Sequence, residues 1–143
     1  MVVHNSCNLI WNTIRSYGNG IQETYLQHIK RLHLFGSGLN KSHFGSHINH
    51  SNLEGVLARA MTDYATNNSN MKFIENGYKP GKHWIIVDMG HHADLLDGNG
   101  NIGKYINQTG SFQLDVKHIL VTVDNDLNMI NAFPTNKVLS DFP

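Results

Sequence analysis

The chain has 143 residues, 40% of them hydrophobic, with eleven Lys plus Arg against eleven Asp plus Glu. That length suits one hydrophobic core and a single domain, 1–143, and the balanced charge excludes a uniformly basic nucleic-acid coat. A lone cysteine, Cys7, excludes an internal disulfide framework, while the ten histidines make net charge sensitive to pH below about 7.

Residues 7 to 17 set Cys7, Ile10, Ile14 and Tyr17 at helical spacing, and residues 21 to 35 repeat the pattern with Ile21, Tyr25, Ile29 and Leu32. Gly18, Asn19 and Gly20 part these two predicted helices. A third helix is expected from Ser51, where Ser51 and Glu54 have the spacing of a capping box, with Leu53, Val56, Leu57, Ala60, Met61 and Tyr64 as its buried stripe. It ends in the polar run from Thr66 to Asn70. The signals then turn to strands: a weak one over 71 to 74, a stronger one over 84 to 89, and a hairpin with arms 116 to 123 and 128 to 133. The stretch 97 to 110, rich in Gly and Asn, reads as a surface loop or short edge strand. The expected class is α+β: a helical part, 1–38, followed by a catalytic helix and a twisted antiparallel sheet, 39–143. No apolar run is long enough to span a membrane, and the N-terminus lacks the basic and apolar regions of a signal peptide, so export would depend on something else.

The segment LNKSHFGSHINHSNLEGVLARAM, 39 to 61, places His43, His47 and His50 just ahead of the third helix and Arg59 on its flank. Imidazole moves protons near neutral pH and guanidinium neutralises phosphoryl oxygens, which together are what cleavage of a phosphodiester needs. In the hairpin, alternation assigns Ile119, Val121 and Val123 to the core and leaves His118, Leu120 and Thr122 on the other face, His118 displayed. Asn131 and Phe133 share a face of the second arm. The sheet is then the floor of a cleft, and the His47/Arg59 segment its wall.

His43 and His47, Ser51, Leu57-Ala58-Arg59, Ile102-Gly103-Lys104 and the closing Asn131-Ala132-Phe133-Pro134 together resemble the ribonuclease A-like toxin domain at the C-termini of contact-dependent growth inhibition proteins, over roughly residues 40 to 135. The resemblance implies a ribonuclease A-like or related small toxin-nuclease fold without disulfides. It makes His47 the general acid or base and Arg59 the phosphate or transition-state stabiliser. The family tends to carry Thr and Tyr in its last strand where this chain has Asn131 and Phe133, so both hydroxyls are missing, and the interval from histidine to arginine is one residue longer. Either their roles pass to His118, Thr122, Tyr105 or Thr135, or the resemblance is to the wider set of small toxin nucleases with helices preceding an antiparallel sheet; His118 is the candidate second histidine of an acid/base pair. The family also implies delivery into a target-cell cytoplasm at the end of a larger exported protein, an RNA substrate such as tRNA, and a cognate immunity protein that is acidic where it meets Arg59 and the lysines.

The implied chemistry is internal transesterification. A base takes the RNA 2′-hydroxyl proton, the oxygen attacks phosphorus, an acid protonates the departing 5′-oxygen, and a 2′,3′-cyclic phosphate results without a cofactor. Arg59, Lys104 or Lys117 binds the phosphate, and the planar fork of arginine makes Arg59 the first choice. Plainer roles stand beside these: Arg59 as an exposed partner of Asp63 at i+4, His118 as an ordinary strand residue.

Two other classes remain. Gly90-His91-His92 at a strand end resembles the signature of HNH-type toxin nucleases, in which one histidine activates water and another binds a divalent metal, with Asn107 and His118 further along. The helix that should carry its last ligand is missing, since 116 to 123 reads as strand. A protein-binding module without catalysis is the other. Zinc at His43, His47 and His50 lacks the usual cysteine or carboxylate partners, and Asp97-Gly98-Asn99-Gly100-Asn101 reads as a polar turn, not a calcium loop, for want of a terminal Glu.

Overall fold

Strand pairing is antiparallel throughout the computed structural model, which describes residues 14–16, 22–36, 41–66, 71–74, 82–106, 110–113, 115–124, 126 and 128–136. The elements are β1 (Ile14–Ser16), β2 (Gln22–Thr24), α1 (Tyr25–His33), β3 (His43–Phe44), α2 (Leu53–Thr66), β4 (Met71–Ile74), β5 (His83–Asp88), β6 (Gly103–Ile106), β7 (Phe112–Gln113), β8 (His118–Val123) and β9 (Met129–Thr135). The class is α+β, as expected. The largest sheet has the order β4-β5-β8-β9, a three-stranded sheet has the order β3-β6-β7, and β1 pairs with β2.

Ile85, Val87, Ile119, Val121, Val123 and Ala132 of the large sheet share one core with Leu53, Val56, Leu57, Ala60, Met61 and Tyr64, the stripe expected on α2. Burial of that stripe holds α2 on the sheet, each fully buried Leu being worth roughly 1.5–3 kcal/mol. The start of α2 is built differently from the expectation. Asn49 and Asn52 form the reciprocal box: Asn49 Oδ1 accepts the Asn52 N–H at 3.2 Å, and Asn52 Oδ1 accepts the Asn49 N–H at 2.8 Å. The box therefore lies two residues upstream of Ser51 and Glu54, because asparagine caps as well as serine does.

Further corrections concern short elements. Residues 14–16, expected in a helix, form β1 against β2, while residues 7–13 of that expected helix, Cys7 included, lie outside the described residues. The second helix starts at Tyr25 and not at 21, because Thr24 caps it: Thr24 Oγ1 accepts the Gln27 N–H and Gln27 Oε1 accepts the Thr24 N–H. Within 97 to 110, β6 is the middle strand of its sheet, not an edge. In the large sheet β9 is an edge strand, and it tolerates Pro134 because one side of it has no ladder to feed.

The small sheet presses onto that edge at Gly103. A Cβ there would meet the His43 carbonyl oxygen, Pro134 Cγ at 2.7 Å and Phe44 Cα at 2.8 Å, so backbone would have to move. Gly103→Ala should cost about 1–3 kcal/mol, the range for overpacking a close contact. Chemical denaturation checks this, and an unchanged midpoint would show that the two sheets slide apart freely.

Candidate functional site

β5 ends at Asp88, whose Oδ1 accepts the Gly90 N–H at 2.8 Å; the His92 N–H then donates to the Met89 carbonyl at 3.0 Å. This tight turn runs into a single 3-10 turn, Ala93–Leu95, and together they lie along the flank of α2 and the loop before it. Three side chains, those of Asp63, Arg59 and His47, meet the segment. His92 Nε2 is 2.8 Å and His91 Nε2 is 3.2 Å from the same oxygen, Asp63 Oδ2. Arg59 Nη1 donates to both Asp94 oxygens at 2.9 Å, and His47 Nε2 donates to the Leu95 carbonyl at 2.7 Å.

Each contact fixes some chemistry. A carbonyl accepts only, so His47 Nε2 carries a proton and Nδ1 is the nitrogen left to act as a base. The His47 ring lies over Gly45, where an added Cβ would be 2.6 Å from Cε1 and 2.7 Å from Nδ1. Asn52 Nδ2 ties the His47 carbonyl to the start of α2 at 3.0 Å. Arg59 uses one nitrogen for both carboxylate oxygens, not the two-nitrogen fork of the strongest pairs, and both partners are exposed. The hydrogen bond from Arg59 holds the Asp94 carboxyl below its ordinary range. Asp97 is likewise held low, first by the Asn101 N–H, and its Oδ1 also accepts from Asn99, so this carboxylate organises a turn. That agrees with the reading of 97 to 101 as a polar turn.

The expected site residues fall into three groups. His47, Arg59 and Lys117 border the 90–100 segment, Lys117 because its chain runs past the Cα positions of Gly90 and Gly100. His43 and Lys104 face one another across β3 and β6, with His43 Nδ1 donating to the Lys41 carbonyl at 3.0 Å; Tyr105, on the same strand, packs half-buried on the core. His118, Thr122, Asn131, Phe133 and Thr135 occupy the outer face of β8 and β9, in the cross-strand pairs His118 with Thr135, Leu120 with Phe133, and Thr122 with Asn131.

Three expectations are overturned here. His118 is buried, 8% exposed, with Nε2 3.9 Å from Asp88 Oδ2, and Thr135 is 0% exposed. Alternation identified the face correctly, but Ile86 and Leu120 on that face are buried too, so the face is covered there. Nor is the sheet face bearing His118 a floor for the His47/Arg59 wall, because α2 packs on the opposite face, with Ile119 and Val121. Arg59 pairs with Asp94, across 35 positions, and not with Asp63.

Sequence reasoning missed Asp94, the meeting of Asp63 with His91 and His92, and a further cluster around Glu23. Glu23, 8% exposed, accepts from Arg31 Nε at 3.1 Å and Nη2 at 2.8 Å and lies 3.3 Å from His28 Nδ1. His33 stacks on Phe133 with ring centroids 5.1 Å apart. The signals available were Gly90-His91-His92 and the i+4 spacing of Arg59 and Asp63, which marks a single helix flank without naming what meets it. Asn107 lies outside the described residues. Among the described residues no helix is long and apolar enough to cross a membrane. Comparison with protein-family models, curated proteins and solved structures gives no match.

Proposed function

We propose that the chain is a small ribonuclease of the toxin kind, cleaving RNA by transesterification, with His47 as the proton-transfer group and Arg59 as the phosphoryl-binding group. One observation carries the reading: the partners of His47 and Arg59 are Leu95 and Asp94, adjacent residues of one turn, so an oriented imidazole and an exposed guanidinium border the same short segment. His47 Nδ1 takes the 2′-hydroxyl proton as that oxygen attacks phosphorus. Arg59 exchanges its solvent-exposed carboxylate for the phosphoryl oxygens, and Lys117 adds charge beside Gly100. The P–O5′ bond then breaks, and with His118 on the far face the His47 imidazolium is the acid at hand for the 5′-oxygen. Delivery as the end of a larger exported protein, an immunity partner and the finer fold assignment belong to the same proposal and rest on the resemblance over residues 40 to 135.

The test is incubation of the purified chain with total RNA and with DNA in the presence of a chelator. RNA should be cut to cyclic-phosphate ends and DNA left whole, since DNA has no 2′-hydroxyl. Arg59→Lys keeps the charge and loses the planar fork, so cleavage should fall at least about 10-fold. Full activity in that variant would leave Arg59 as a surface partner of Asp94. Intact RNA would overturn the proposal, and cleavage only with a divalent ion, lost in His92→Ala, would move the chemistry to the neighbouring histidines.

A further inference from the structure

We propose that Asp63, His91 and His92 form a binding site for one zinc-class divalent ion, at the junction of α2 with the turn after β5. The inference stands apart from the ribonuclease reading. One ligand atom from each residue lies within 4.8 Å of the others, and both imidazole Nε2 atoms converge on Asp63 Oδ2, at 2.8 Å and 3.2 Å. That oxygen has two lone pairs and accepts from both rings when each Nε2 carries its proton. With those protons displaced, the same two ring nitrogens, on rings with centroids 4.0 Å apart, and the carboxylate oxygen are the donor set of a cation site. Ligand atoms about 2.0–2.1 Å from a tetrahedral ion are separated by roughly 3.3 Å, so the observed distances require only small side-chain adjustments to admit one.

The turn makes the site possible. Asp88 and Met89 tie down Gly90 and His92 through hydrogen bonds at 2.8 Å and 3.0 Å, which holds two consecutive histidines over one helix position. The Asp63 side chain is 12% exposed and that of His92 17%, while His91 at 46% opens to solvent and gives a path of entry. Two nitrogens and one oxygen select zinc, nickel or cobalt over magnesium or calcium, which want oxygen alone. Three protein ligands leave a fourth position for water or an anion. A bound ion would pin the segment that carries Asp94 and Leu95, the partners of Arg59 and His47.

The experiment uses the untagged full chain, stripped with chelator and titrated with zinc chloride by calorimetry, with cobalt chloride as an optical probe. We expect one ion per chain, no competition from excess magnesium, a rise in melting temperature with zinc, and visible cobalt bands of a four-coordinate site. Because the chain has ten histidines, His50→Ala at an exposed position is the control and should bind like wild type. His92→Ala should weaken binding by at least about 100-fold, as should His91→Ala, whose exposed position leaves the fold undisturbed. Binding that survives both changes, or no saturable binding by the wild type, would overturn the site.

Discussion

His47→Ala should lower RNA cleavage by at least about 10²-fold while the chain stays folded, since removing a positioned general base costs roughly 10²- to 10⁴-fold. The variant gives up one half-buried hydrogen bond, His47 Nε2 to the Leu95 carbonyl at 2.7 Å, a change of about 0.5–1.5 kcal/mol. Activity and stability should therefore separate. Gly45→Ala tests the same role through position. It keeps the imidazole itself, but the new Cβ would sit 2.6 Å from His47 Cε1, so the ring must leave its hydrogen bond or tilt. Cleavage should fall in this variant too, with the melting temperature little changed. RNA assays and thermal scans on both proteins decide the matter, and full cleavage by a folded His47→Ala chain would remove His47 from the reaction.

How far this site could be read from sequence depends on how local each contact is. The α2 stripe was legible because Leu53, Val56, Leu57, Ala60, Met61 and Tyr64 follow the helical period and all face one core. So was the inward face of β8, where Ile119, Val121 and Val123 alternate. His47 and Arg59 stood out by chemistry and proximity. What brings them to one surface did not, because Asp94 and Leu95 lie 35 and 48 positions away and the 3-10 turn carries no strong local signal. His118 shows a different limit: period two says which way a strand residue points, not whether something lies over it. At 14–16, Ile14 fits a helical period, yet pairing with β2 decides the outcome, and pairing is a non-local property. The Gly90-His91-His92 signal was visible without the third ligand, Asp63, which only the packing of the turn on α2 supplies.

His33 should make the protein acid-sensitive between about pH 6.5 and 4. Its ring lies between α1 and β9, 5% exposed and stacked on Phe133, with Nδ1 donating to the Ser42 carbonyl at 2.8 Å and Nε2 buried without a hydrogen-bond partner. Burial lowers its pKa from 6.5 to about 4; the Ser42 carbonyl opposes this, while His28, Lys41 and His43 add to the lowering. The unfolded chain therefore binds a proton between these values that the folded chain refuses. Stability is complete above pH 6.5, falls as pH drops through that window, and levels off below about 4. The interval of about 2.5 units corresponds to a loss of about 3 kcal/mol. His33→Phe keeps an aromatic ring against Phe133 and gives up the titration together with the Ser42 hydrogen bond, at about 0.5–1.5 kcal/mol near neutrality. Other groups titrate in the same range, so the informative quantity is the difference between the two proteins in urea unfolding at pH 7, 5.5 and 4. The wild type should lose about 3 kcal/mol more than His33→Phe across that range, and equal losses would show that the folded protein accommodates the His33 imidazolium.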